Sequence, residues 1–166
     1  MFNFKPARFA LPMLSFVLVA RCMAAQPETE LNEEQASGCQ FAATVAKTLA
    51  TYRDNGDTQE HAVDRFMTEA RKPTSLNAEM EKATRTYTSE RAELVYAIRN
   101  FEPETFGQFE YAVCKMRMLN QGMLDFSKAN QIVEDVTYCA RLNYKDLKQP
   151  DMTACVNKVV NKYRRN

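Results

Sequence analysis

The chain has little of what most enzymes use. Its 166 residues include no tryptophan, four glycines and one histidine, His61. Without glycine-rich loops there is no phosphate or dinucleotide fingerprint. No Cys-x-x-Cys occurs and His61 stands alone, so the spacing does not match a zinc site. Strand-like alternation is also absent, and the sequence therefore predicts an all-α protein without a cofactor or metal.

Catalytic side chains are equally scarce. His61 falls in the first turn of a predicted helix, where an exposed surface residue is the usual interpretation. None of Ser75, Ser89 and Ser127 lies in a nucleophile-elbow pattern. We therefore predict no catalytic residue and no enzymatic activity.

Paired carboxylates leave one alternative to a non-enzyme. Glu33-Glu34, Glu79/Glu81 and Glu90/Glu93 supply pairs that a small carboxylate-dependent hydrolase could use. Such chemistry needs two carboxyl groups that face each other across a cleft. Solvated helix faces explain these pairs more simply, so the hydrolase is kept as the second hypothesis.

Residues 1–25 have the pattern of a secretory signal peptide. Lys5 and Arg8 precede the apolar run 9–20, and Met23-Ala24-Ala25 supplies small residues for cleavage. The run is too short to span a bilayer, which takes roughly 20 apolar residues. The pattern predicts a periplasmic or secreted protein, with no stable membrane span after cleavage.

Two residues leave alternatives to cleavage open. Arg21 places a charge between the apolar run and the cleavage site, which is unusual and would suit an uncleaved anchor. Cys22 follows the apolar run, as the modified cysteine of a lipoprotein does, but a small residue normally precedes that cysteine.

Charge is balanced overall but unevenly distributed. Residues 26–114 carry nine basic and 16 acidic residues, whereas residues 115–166 carry ten basic and five acidic. The mature total of −2 (19 minus 21) argues against nucleic-acid binding. The simpler interpretation is that an acidic body (residues 26–114) pairs with a basic tail (residues 115–166). The more specific one is a dipolar surface that steers a charged partner.

Four cysteines remain after the signal: Cys39, Cys114, Cys139 and Cys155. In an exported chain they suggest two disulfides, with three pairings open. Buried free thiols are the alternative.

Apolar spacing predicts a single domain of about six helices over residues 35–166, after a flexible acidic leader at 26–34. The predicted helices run from about Glu34 to Asp54, from Asp57 to Pro73, through the stripe Leu76, Met80, Ala83, Tyr87, Leu94, Val95 and Ile98, from Pro103 towards Gly122, from Ser127 to Leu142, and from near Pro150 to the basic tail.

Aromatic residues cluster around the predicted start of the fourth helix. Helical spacing places Phe106 and Phe109 in the core. Phe101 and Tyr111 are the candidates for a groove or a partner surface.

Several short motifs together resemble a known group of proteins. The motifs are Gly38-Cys39-Gln40, Ala46, Ala50, Arg53-Asp54-Asn55-Gly56, Leu94-Val95-Tyr96-Ala97, Pro103 and Tyr111-Ala112-Val113-Cys114. They resemble small exported bacterial helical proteins of uncharacterised function, in which a cysteine opens the first helix and Tyr-x-x-Cys closes the chain. The resemblance covers residues 38–114 and implies a Cys39–Cys114 bridge but no activity; this chain continues 52 residues further.

The same pairing follows from the predicted helices. Cys139 and Cys155 lie on consecutive helices joined by a short turn, so a hairpin brings them together and leaves Cys39 for Cys114. Taken together, the sequence predicts an exported, non-enzymatic protein-binding domain of the bacterial cell envelope, an inhibitor or an accessory factor. Its partner would be another envelope or exported protein.

Overall fold

A computed structural model describes residues 30–71, 77–143 and 152–165, apart from the side chains of Arg71 and Asn143. The predicted signal, most of the leader, Pro73, Leu76 and Pro150 lie outside these ranges. Six α-helices lie within these ranges, which confirms the predicted all-α class. They are α1 (Glu33–Asp54), α2 (Gln59–Arg71), α3 (Ala78–Ala97), α4 (Pro103–Met118), α5 (Ala129–Asn143) and α6 (Met152–Lys162).

Helix α1 begins earlier than the sequence suggested. The Asn32 side chain accepts a hydrogen bond from the Gln35 amide at 2.9 Å, and the Gln35 side chain accepts one from the Asn32 amide at 3.0 Å. This reciprocal capping box satisfies two amides that the first turn leaves free. Glu33 and Glu34 are therefore helical, and the predicted leader ends two residues sooner.

Helices α1 and α4 form the centre of the domain. Small residues of α1, including Ala42, Ala43 and Ala46, are buried, which lets α4 approach closely. The predicted Cys39–Cys114 disulfide is confirmed and joins the two helices. Phe106 and Phe109 are buried as predicted.

Helix α2 is capped by Thr58 and not by Asp57, the residue at which the predicted helix begins. The Thr58 hydroxyl accepts from the His61 amide at 3.3 Å, whereas the Asp57 carboxylate accepts from the His61 ring at 2.8 Å and from Arg65 at 3.2 Å. Asp57 therefore pairs with side chains, and Thr58 occupies the cap position.

Helix α3 is continuous, and it buries a narrower face than the predicted stripe. Its buried residues are Thr88, Ala92 and Val95, whereas Met80 is 53% exposed. Thr88 can be buried because its hydroxyl donates to the Thr84 carbonyl at 2.8 Å, one turn earlier. Apolar spacing alone does not predict the burial of a polar residue whose hydroxyl forms its hydrogen bond within the same helix.

Arg53 ties the loop between α3 and α4 to the end of α1. Its guanidinium donates to the carbonyls of Val95, Ile98 and Phe101 at 2.9, 2.8 and 2.6 Å. It also lies 5.5 Å from the centre of the Phe106 ring. The Arg-Asp-Asn-Gly motif therefore has a structural role.

A two-stranded ribbon joins the segment after α4 to the segment after α6. Strand β1 (Met123–Leu124) pairs antiparallel with β2 (Arg164–Arg165), a feature that the all-helical prediction did not contain. Gly122 has φ +103°, and a Cβ there would lie 2.2 Å from the Arg165 carbonyl oxygen. Glycine is required at this position for both reasons, rather than as the end of α4.

Helices α5 and α6 form the predicted hairpin, and the Cys139–Cys155 disulfide joins them. Ile132, Val136 and Val156 are buried in the common core. Among the described helices, none is long and apolar enough to cross a membrane.

Candidate functional site: the Phe41 groove

An apolar groove lies along the junction of α1, α3 and α4. We call it the Phe41 groove; its volume is about 260 Å³. Its lining comes from three helices, with Gly38, Phe41 and Ala42 from α1, Tyr87 and Arg91 from α3, and Glu110, Val113, Cys114, Arg117 and Met118 from α4. Because the Cys39–Cys114 bridge holds α1 to α4 beside it, two of its walls are fixed relative to each other.

Large apolar side chains remain in contact with solvent at the groove. Phe41 is 49% exposed and Met118 is 44% exposed. The Phe41 ring lies 6.2 Å from the Tyr87 ring, centre to centre. Exposed apolar surface that gathers around a groove is typical of interaction sites.

A buried ion pair forms the floor. The Arg91 Nη1 atom donates to both carboxylate oxygens of Glu110, at 3.1 and 3.2 Å. Glu110 is only 3% exposed, and the Arg91 guanidinium lies 5.2 Å from the centre of the Tyr87 ring. The buried Arg91 Nε has no hydrogen-bond partner among the residues that the structure describes, so the pair leaves donor capacity unused.

Burial is the main influence on the pKa values of the titratable groups around this ion pair. It raises the pKa of Glu110 above the ordinary value of 4.5, and the guanidiniums of Arg91 and Arg117 offset only part of the effect. Burial also raises the pKa of the Tyr87 hydroxyl. The protonated form of Glu110 is therefore favoured by folding.

This shift predicts a pH-dependent effect of Glu110→Gln. The folded domain binds the Glu110 proton more tightly than the unfolded chain does. The stability that this proton contributes is therefore complete below about pH 4.5, and it is lost as the pH rises through the folded pKa. Urea titrations measure the free energy of unfolding of the parent and of Glu110→Gln. The parent value minus the variant value should therefore be larger at about pH 5 than at about pH 8. A difference that is constant, or larger at the higher pH, would contradict the shift.

The two residues predicted for a partner surface lie elsewhere. Phe101 is 1% exposed and packs edge-on against Phe106 and Phe109, at centre distances of 5.0 and 5.7 Å. It is a core residue and offers no surface to a partner. Tyr111 is partly exposed but lines a separate polar cleft with Lys47 and Thr153.

Sequence reasoning missed Phe41, Arg91 and Glu110. One signal was available, because Phe41 is a large aromatic residue that lies off the buried stripe of Cys39, Ala42 and Ala46. The pairing of Arg91 with Glu110 had no comparable signal, since 19 residues and a loop separate them.

The candidate catalytic groups do not form a cleft of their own. The His61 side chain is 68% exposed and pairs with Asp57. Glu33 and Glu34 lie in the first turn of α1, Glu79 and Glu81 in the first turn of α3, and only Glu81 of these is partly buried. Glu90 and Glu93 are exposed. Within residues 30–71, 77–143 and 152–165, no three His, Cys, Asp or Glu side chains are grouped to hold a metal ion.

Salt bridges do not join the acidic body to the basic tail in the described ranges. Lys47–Glu104, Arg85–Asp64 and Arg91–Glu110 lie before Cys114, and Lys162–Asp135 and Arg165–Asp125 lie after it. Arg53 and Arg65 also pair within the body. Within the described ranges, each of these ion pairs therefore lies inside the body or inside the tail.

A larger groove of about 970 Å³ lies between α3 and α5. Exposed Tyr138 lines it together with Arg99, Arg141, Glu134 and Asp135. The mixed charges and polar lining give this groove less apolar character than the Phe41 groove.

No protein-family model matches this chain, and neither a curated protein nor a solved structure gives a significant match.

Proposed function

We propose that this protein is an exported, non-enzymatic protein-binding domain of the bacterial cell envelope, and that it contacts its partner through the Phe41 groove. The observation that carries the proposal is the half-exposed Phe41 ring beside a groove whose walls a disulfide joins. A fixed apolar groove suits binding because little ordering free energy is lost on association.

The groove composition supports a protein partner. Aromatic, methionine and arginine side chains are enriched in protein interfaces, and the groove presents Phe41, Tyr87, Met118 and Arg117. Hot-spot residues of this kind commonly lie in a pocket and exclude water on binding.

The cellular setting remains part of the proposal. The signal-like segment 1–25 and two disulfides fit an oxidising compartment, such as the periplasm or the extracellular space. A partner in that compartment would be another envelope or exported protein, which the domain would inhibit or assist. The exposed position of His61 supports binding over catalysis. The hydrolase alternative gains no support from the exposed carboxylate pairs.

The test uses two phenylalanines that are equally exposed. Phe41 and Phe126 are each 49% exposed, but only Phe41 lines the groove. Immobilised mature protein should capture its partner from envelope extract, and Phe41→Ala should weaken capture about thirtyfold, as loss of a hot-spot aromatic residue does. Phe126→Ala should leave capture unchanged.

Quantitative mass spectrometry of the captured proteins provides the measurement, and circular dichroism checks that each variant is folded. Equal capture by the parent and a folded Phe41→Ala variant would reject the groove as the binding surface.

A further inference from the structure

We propose that the Phe41 groove takes the C-terminal residue of the partner chain, an apolar residue whose free carboxylate meets Arg91 and Arg117. This inference rests on the proposed function and names the chemistry that the groove recognises. Charge complementarity and the size of the groove both point to a chain end.

The charge that the groove presents to a ligand is positive. Glu110 is enclosed, and both of its oxygens already accept from the Arg91 Nη1 atom. The contacts of Arg91 with Glu110 come from Nη1, and Nη2 donates to no residue in the described parts of the chain. Arg117 is exposed and forms no salt bridge there either. Two guanidiniums can therefore reach a ligand carboxylate, whereas the only carboxylate of the lining is occupied.

The walls around these cations are apolar. Phe41 and Met118 line the groove with Val113, and the Cys114 disulfide lies among them. A ligand must therefore combine an apolar side chain with an anion placed close to it. Carboxylate binding to guanidinium adds geometric selectivity, because the planar donors match the two oxygens.

The size of the groove favours one residue as the source of both groups. Its 260 Å³ is smaller than the roughly 300–1,000 Å³ of pockets that bury drug-sized ligands. An internal acidic residue next to an apolar one would point to the opposite side of an extended chain. A C-terminal leucine, methionine or phenylalanine carries the side chain and the carboxylate on one Cα, and capture of a C-terminal carboxylate is a recurring recognition mode.

Synthetic peptides test the inference with the mature protein. The probe is fluorescein-Gly-Ser-Gly-Ser-Phe with a free C-terminal carboxylate. The comparison peptides are its C-terminal amide and fluorescein-Gly-Ser-Phe-Glu-Gly-amide, in which the only carboxylate of the peptide part is the side chain of an internal glutamate. Fluorescence anisotropy should show saturable binding of the free acid, at least about tenfold tighter than either comparison peptide, as loss of one charged hydrogen-bonded contact predicts.

Variants of the two arginines test whether they bind the C-terminal carboxylate of the peptide. Arg117→Gln should weaken the free acid about tenfold without weakening the amide, whereas Arg141→Gln, at another exposed arginine, should change neither. Arg91→Gln leaves Glu110 buried without its partner and can unfold the domain, so the double variant Arg91→Leu/Glu110→Leu is used, because apolar replacement of a buried ion pair is commonly tolerated. It should also lose the preference for the acid.

Equal binding of the acid and the amide, tighter binding of the internal-glutamate peptide, or no saturable binding of the free acid would overturn the inference. These outcomes are separate from the test of the proposed function. If the peptides fail while Phe41→Ala still weakens partner capture, the groove remains the interface and only the chain-end chemistry is rejected.

Discussion

Replacing Cys39 and Cys114 together by alanine is expected to lower the free energy of unfolding by about 4 kcal/mol on the chain-entropy model. The bridge closes a loop of 75 residues, so its removal frees a large part of the unfolded chain. Replacing Cys139 and Cys155, which are 16 residues apart, should cost about 3 kcal/mol.

Urea unfolding of the two double variants, in the same buffer as the parent, measures both losses. Single substitutions are avoided because each leaves a thiol that can form wrong pairs. The Cys39/Cys114 variant should also weaken binding at the Phe41 groove, since the bridge joins two of its walls. An unchanged urea midpoint of unfolding for this variant would contradict the claim that the bridge between α1 and α4 stabilises the domain.

Arg53→Ala is expected to destabilise the domain by about 4 kcal/mol. Its three hydrogen bonds, to the carbonyls of Val95, Ile98 and Phe101, are charge-assisted. Each is worth roughly 1.5–3 kcal/mol, with incomplete additivity. The side chain is 9% exposed, so truncation leaves carbonyls without a donor in a largely dry setting.

Two controls separate the geometry of this contact from its charge. Arg53→Lys keeps the charge but lacks the planar fork that reaches three carbonyls, so it should recover less than half of the loss. Arg65→Ala removes an arginine that is 46% exposed and should cost under about 1 kcal/mol. Urea unfolding at one pH provides the values, and a loss under about 1 kcal/mol for Arg53→Ala would show that the loop does not depend on Arg53.

Much of the helical framework could be predicted because its signals are local. Apolar spacing predicts the core-facing side of α2 as Ala62, Val63, Phe66, Met67 and Ala70. The first four are buried, and Ala70 is partly buried against the core. The two disulfides follow from helix order and a hairpin, and the structure contains both.

The remaining features depend on contacts between distant segments. The β1–β2 ribbon pairs Met123 with Arg165, 42 residues later in the chain, and two-residue strands carry no periodic signal. The sequence predicts Phe101 to be a candidate for a groove or a partner surface, whereas the fold packs it against Phe106 and Phe109 of α4.

The candidate site was the least predictable part for the same reason. Three helices contribute to the Phe41 groove. The two motifs that reach it, Gly38-Cys39-Gln40 and Tyr111-Ala112-Val113-Cys114, imply a disulfide and do not indicate a binding surface. The sequence indicates a binder by the catalytic groups that it lacks, whereas the place of binding depends on how α1, α3 and α4 are packed.

Photo-crosslinking from the groove in living cells tests the central claim most directly. The photoreactive amino acid p-benzoylphenylalanine would replace Phe41 in one version of the full-length protein and Phe126, which is equally exposed, in another. The account predicts a discrete crosslink to an exported protein from position 41 and none to that protein from position 126. A crosslink of equal strength from both positions, or from position 126 alone, would contradict it.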